Sequence, residues 1–378
     1  IDLGGYRELS GSVSAGFPLS GWTADVLEPK GGRVLSDEAE LSISPGPGGQ
    51  NGMFAGLRFN WPDKSKARIL RLTPPSDATA PLPTIYWDLA AALGASSNWQ
   101  VQLEIGFDPA AARKVQAVVL DAEGTSPQEG ATVEFRARSI DGISTFVDFS
   151  VKATTDAAGI ATVTLPPGSY DVQATPATDG ELAIAKAQWT IHADKTCFCG
   201  HALALPRKAH LDGSVTVDQG GALAAVPVTA VPSEIAVASK LAGLSTMPYV
   251  TPRPESTNTD ETGSFSMLVD VDAAFDVSVR PPATTGFPWL VLPQFLVPAS
   301  GQVDASALAD LVVPAPAVLR GGITDSSGAP IVGATLGAFL PVTSVDGTKD
   351  VVVQIGQTTT DASGNYELVL PASISQSP

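Results

Sequence analysis

Three short stretches of this chain share one grammar, and no other feature narrows its fold as far. "TTDAAGIATVTLP" begins at Thr154, "NTDETGSFSMLVD" at Asn258 and "TTDASGNYELVLP" at Thr359. In each, Thr-Asp-x-x-Gly precedes an alternating apolar run. An Asp side chain at that position can accept bonds from the N–H groups of the turn that follows. The Gly supplies the positive φ that closes a hairpin or bulge. The run after it has period two: Ala161, Val163 and Leu165 alternate with Ile160, Thr162 and Thr164, so one face meets a core and the other water, as antiparallel sheets require. The motif reads as a hairpin corner.

Other landmarks recur with it in constant order. Opening strands start at Leu9, Val115, Leu211 and Leu319; with Gly11, Ala117, Gly213 and Gly321 taken as equivalent, the steps are 106, 96 and 108 residues. After the corner come "KARILRLTPP" in the first unit, "SYDVQATPA" in the second and "AFDVSVRPPA" in the third. Next is a tryptophan, Trp87, Trp189 or Trp289, and then a closing strand near Val101, His201 or Leu308. That spacing is one β-sandwich per repeat. In "YDVQATP", Tyr170, Val172 and Ala174 should point inward. The expectation is an all-β chain of tandem Greek-key β-sandwiches (Ig-like or transthyretin-like) in a semi-rigid rod, with boundaries 1–110, 111–208, 209–316 and 317–378. Linkers near Pro109, Pro206 and Pro314 are short. "DLAAALGA" from Asp88 and "EIAVASKLAGL" from Glu234 read either as short helices or as loop.

Composition agrees with this and restricts partners. Among 378 residues, Gly 36 and Pro 31 punctuate the chain while charged residues reach only 16%. The excess of 39 acidic over 22 basic residues, −17 in all, repels phosphate backbones and anionic lipid, so neither nucleic acid nor direct membrane insertion fits. The most apolar piece, "GFPWLVLPQFLVPA" from Gly286, is cut by prolines and Gln294 and is no membrane helix.

The pattern of an opening strand, D-x-x-G-x-P-x-x-G-A, then T-D-x-x-G and L-P-x-G-x-Y-x-V, resembles the carboxypeptidase regulatory-like domain over roughly the last 260 residues. "DSSGAPIVGATL" in the last unit and "GTSPQEGATVEF" in the second carry it best. The third replaces Gly-Ala by Val226-Pro227, and the first lacks the corner. The resemblance implies a transthyretin-like (prealbumin-like) fold and tandem use in exported bacterial proteins as scaffold, spacer or adhesive component. It implies partners that are other protein subunits of a surface assembly, or polysaccharide. The place implied is extracellular, on an outer-membrane surface or in a periplasm. Enzymes of similar fold need residues that are missing. No Tyr-Arg-Gly-Ser terminus occurs, and His192, His201 and His210 are followed at the third position by Lys195, Ala204 and Gly213 rather than a zinc-binding Glu. The reading is therefore non-enzymatic, with no catalytic residue and no cofactor. The alternatives are an accessory, substrate- or carbohydrate-binding region of a larger secreted hydrolase, and a metal-binding exported protein.

"IHADKTCFCGH" gathers His192, Cys197, Cys199 and His201, which could ligate zinc or copper. The competing reading is a disulfide Cys197–Cys199, strained across one residue, or two thiols flanking a packed Phe198. His201 shares parity with Leu203 and Leu205 and should face the core or its rim. Acidic turns at Asp121 and at Asp270–Asp272 lack a calcium-loop pattern and read as solvated. Trp87, Trp189 and Trp289 recur and read as core; Trp61 and Trp99, in loop contexts, are the candidate ligand contacts. After its corner the fourth unit has no room for three further strands before Pro378, so either the chain continues or another subunit supplies strands.

Overall fold

The computed structural model describes residues 6–28, 34–43, 49–61, 67–78, 81–93, 99–218, 220–233, 252–299, 301, 308, 310–343 and 350–372. The chain divides into two compact units. Of the described residues, the first holds those within 1–179 and 185–205; the second holds those within 180–184, 206–233 and 252–372. Each holds two lobes of paired sheets. The stretch from Glu234 lies outside the described residues; the one from Asp88 yields helix α1 (Leu89–Leu93).

Lobe one runs through β1 (Tyr6–Ala15), β2 (Thr23–Leu27), β3 (Ala39–Glu40), β4 (Ser42–Ile43), β5 (Asn51–Asn60), β6 (Ile69–Thr73), β7 (Thr84–Asp88), α1 and β8 (Gln100–Ile105). Lobe two has β9 (Arg113–Leu120), β10 (Thr132–Ile140), β11 (Phe146–Asp148), β12 (Ser150–Thr154), β13 (Ile160–Leu165), β14 (Gly168–Thr175), β15 (Ala185–Ile191) and β16 (Cys197–Ala204). Lobe three has β17 (Ala209–Val217), β18 (Pro227–Pro232), β19 (Glu255–Asn258), β20 (Ser264–Val269), β21 (Ala273–Val279), β22 (Leu290–Val297) and β23 (Leu311–Val313). Lobe four shows β24 (Pro316–Gly322), β25 (Thr335–Thr343), β26 (Asp350–Thr359) and β27 (Asn365–Pro371).

One plan repeats. The opening strand lies between the post-corner strand and the closing strand: β13-β9-β16 and β20-β17-β23, and in lobe one β4-β5-β1-β8. The second sheet is β12-β10-β14-β15 in lobe two and β19-β18-β21-β22 in lobe three. Lobe one shares the plan although it lacks the corner motif. The sheets are not purely antiparallel, as alternation suggested: β8, β16 and β23 run parallel to β1, β9 and β17. Alternation reports which face a residue takes, and a parallel neighbour leaves the faces unchanged.

Burial follows period two. Along β14, Tyr170, Val172 and Ala174 are buried while Asp171 and Gln173 are half-buried. Leu9, Val115 and Leu211 are fully buried; the equivalent Leu319 in lobe four is 51% exposed. The two sheets described there, β24-β27 and β25-β26, have no closing strand beside β24 among the described residues.

The corner is a double lock. Asp156, Asp260 and Asp361 each accept bonds at Oδ1 from the N–H groups two and four residues on, at 2.8–3.0 Å. Gly159, Gly263 and Gly364 take φ of 71°, 78° and 74°. The Thr before each Asp matters as much. Thr155, Thr259 and Thr360 are buried, and each hydroxyl accepts from the N–H of Ala131, Val226 or Ala334. Each also donates to the carbonyl of Gln128, Leu223 or Ile331. Main-chain groups that would be buried unpaired are thereby satisfied.

This register also corrects the alignment in lobe three. The residue matching Gly130 (φ 76°) and Gly333 (φ 71°) is Ala225, at φ 55°, so the pair replacing Gly-Ala is Ala225-Val226. An opening-strand glycine has a different reason: a Cβ on Gly213 would sit 2.3 Å from the Leu308 carbonyl oxygen and 2.7 Å from the ring of its cross-strand partner Phe265, whereas Ala117 pairs with the small Ala161.

Two expectations follow. An alanine in left-handed backbone loses about 1–2 kcal/mol, against about 0.5–1 for the entropy of glycine, so Ala225→Gly should stabilise lobe three by about 0.5–1 kcal/mol in denaturant unfolding. The Asp260 carboxyl is held below its ordinary value of 3.8, first by the Thr262 hydroxyl and then by the backbone N–H groups. A depressed folded value means stability present above pH 3.8 and lost as pH falls below it through the folded value. Acid titration of unfolding should show this fall, reduced in Asp260→Asn.

Candidate functional site

The chemistry-bearing residues singled out in the sequence collect on one side of lobe two, where β15 and β16 are the edge strands of their sheets. The rings of Trp189, Phe198 and His201 close the gap between the sheets there. Phe198 and His201 stack with centroids 3.6 Å apart and planes 9° apart; Trp189 lies 5.5 Å from Phe198 and 5.6 Å from His201. Beneath them Trp189 reaches Phe135 at 5.9 Å. His201 is exposed, its ring stacked on the half-buried Phe198. His192 is exposed in the turn after β15.

Register along β16 shifts between Phe198 and His201, with Gly200 at φ 76°. This bulge draws the Cα atoms of Cys197 and Cys199 to 5.4 Å, inside the range a disulfide spans, whereas two residues of straight strand cover about 6.6 Å. The two cysteines are bonded as a disulfide. Bonded sulfurs offer no thiolate to a metal. Among the described residues no group of three or more His, Cys, Asp or Glu side chains could hold an ion.

The tryptophans divide otherwise than their contexts suggest. Trp61, a candidate ligand contact, is 1% exposed between Phe59 at 6.0 Å and Trp99 at 5.6 Å, and a buried ring presents no face to a ligand. The core at that end reaches past the last residue of β5, which loop context does not disclose. Trp99 is half-buried at φ 53°, with the Arg7 guanidinium 5.2 Å from its ring. Trp87, Trp189 and Trp289 are half-buried and line lobe rims rather than centres; Trp289 lies under Arg280 at 4.7 Å.

Asp270 is not the solvated turn acid its sequence suggests. It is 1% exposed, and its carboxylate accepts from the Arg253 N–H at 2.8 Å, from Arg253 Nη2 at 2.6 Å and Nε at 3.2 Å, and from the Ile184 N–H at 3.1 Å. Arg253 Nη2 also donates to the Leu182 carbonyl at 2.8 Å. This holds residues 180–184 within the second unit. Asp121, by contrast, is an exposed turn acid accepting from Thr125 and Ser126 N–H groups, which lower its carboxyl below the usual range. A third feature escaped sequence reading: β11 leaves lobe two to pair antiparallel with β7, extending lobe one's sheet to β11-β7-β6-β2-β3. Thr145 donates to the Tyr86 carbonyl beside it. On that sheet Arg71 forks onto the buried Asp25.

No family model and no curated protein matches the chain. Similar solved structures include a Streptococcal ancillary pilin (9% identity, covering 77% of this chain and 97% of that one, TM-score 0.29). Others are the Bacillus anthracis TIE protein (14%, 93% and 61%, TM-score 0.19) and the Bacillus cereus major pilin subunit BcpA (10%, 81% and 99%, TM-score 0.20). At such identities and TM-scores these likenesses bear no weight for function. No described helix is long and apolar enough to cross a membrane.

Asp270→Ala strands a largely buried guanidinium. It should destabilise the second unit by about 3–5 kcal/mol, read as lost amide-exchange protection in β19–β21.

Proposed function

We propose that this chain is a non-enzymatic structural protein of the cell exterior, assembled with other protein subunits through its serial sandwiches. The observation that carries this is the strand handed from lobe two into the sheet of lobe one. Breaking that β11–β7 pairing exposes strand edges in both lobes, so the two resist separation as one body. A structural protein uses such coupling; a binding module on a hinge does not. The disulfide adds support for an exported location, because such bonds persist in oxidising compartments. The prealbumin-like, carboxypeptidase regulatory-like relationship fits the repeated plan, with opening strand, Thr-Asp corner and parallel closing strand. Four domains at 1–110, 111–208, 209–316 and 317–378 are part of this proposal. Several similar solved structures are pilins, and a pilus-like assembly is one form of the proposed role.

Immunogold imaging of the native cell, together with crosslinking of its surface, tests the reading. Labelled surface material in which this chain is linked to other subunits is the expected result. Labelling confined to the cytoplasm would overturn it.

A further inference from the structure

The geometry points to the Cys197–Cys199 disulfide as a thiol-exchange site for low-molecular-weight thiols, attacked at Cys199. As a structural brace this bond does little. It closes a ring of three residues within one strand, and the stabilisation a crosslink contributes by restricting the unfolded chain shrinks with loop length. It joins no two strands, since both cysteines lie on β16.

Its setting suits exchange instead. Phe198 packs toward the core rim against Trp189 and His201, so its two neighbours in the strand project to the opposite, outer face. There β16 is an edge strand among the described residues. Cys199 is exposed and Cys197 is half-buried, so an incoming thiolate meets Cys199 first. Cys197 is the better leaving group. Its parallel-strand partner is Lys114, exposed, on the same face and without an ion pair among the described residues. Arg113 holds the preceding turn through bonds from Nε and Nη2 to the Ala193 carbonyl at 3.2 and 2.7 Å. Lys195 lies in that turn, 3.8 Å from Asp194. The register puts Lys114 on the same face as the departing sulfur, and a cation there stabilises the thiolate that forms.

The step balances without an external oxidant. A thiolate RS⁻ attacks Sγ of Cys199, the new RS–Sγ bond forms as the Sγ–Sγ bond breaks, and Cys197 leaves as thiolate. Cys197 can then return and expel RS⁻. Alternatively a second RS⁻ removes the adduct as RSSR, leaving both cysteines reduced; overall, two thiols are oxidised as one protein disulfide is reduced.

The test incubates the intact, oxidised chain with glutathione at neutral pH, quenches with acid and maps adducts by peptide mass. Glutathione on Cys199 with a free thiol at Cys197 is expected. Lys114→Gln should slow adduct formation about twofold at low ionic strength, the effect of one unscreened charge on the leaving group. Lys114 is exposed, so circular dichroism should show the variant folded. An adduct mainly on Cys197, or a disulfide untouched by millimolar glutathione, overturns the proposal. An unchanged rate in Lys114→Gln overturns the part assigned to the lysine.

Discussion

A threonine hydroxyl, bonded at both ends to main chain and sealed from water, holds each motif-bearing lobe at its corner. Thr155, Thr259 and Thr360 each join the loop before the second strand to the turn that starts the post-corner strand. Without such a bridge, backbone N–H and C=O groups would be buried unpaired where one sheet gives way to the other. The aspartate beside each threonine then winds the turn, and only after that turn can the alternating strand lie against the opening strand. Sheet order and the inward face of β13, β20 and β27 depend on this small polar knot.

From that corner the lobes diverge by packing. Gly213 faces Phe265 where Ala117 faces Ala161, so the volume missing on one strand is filled from its partner. Polar groups inside the second unit obey the same economy of space: the Asp270 carboxylate and Arg253 guanidinium satisfy one another and the main chain of residues 182–184. This buried pair survives because each charge meets the other and main-chain groups as well.

Much of this was readable in the chain. Period-two alternation placed Tyr170, Val172 and Ala174 inward, and the Asp and Gly of the corner act as their chemistry suggests. The Cys-x-Cys spacing left the disulfide among its readings. The failures share a cause. Trp61 read as a loop residue and is core; Asp270 read as solvated and is buried; alternation read as antiparallel sheet, and the closing strands run parallel. In each case the deciding partner lies far along the chain, Trp99 for Trp61, Arg253 and Ile184 for Asp270, β9 for β16.

What the amino-acid order settled alone is local: where turns fall, which alternate residues face inward, and that one sandwich plan is written in series. Turn geometry and side-chain parity depend on neighbours a few residues away, so they survive any change in global arrangement. Tertiary structure decided the direction of the closing strands, the loan of β11 to lobe one and the exposure of Cys199. These depend on which distant strands meet, and hydrophobic alternation is the same whether the neighbour runs parallel, antiparallel or comes from another lobe.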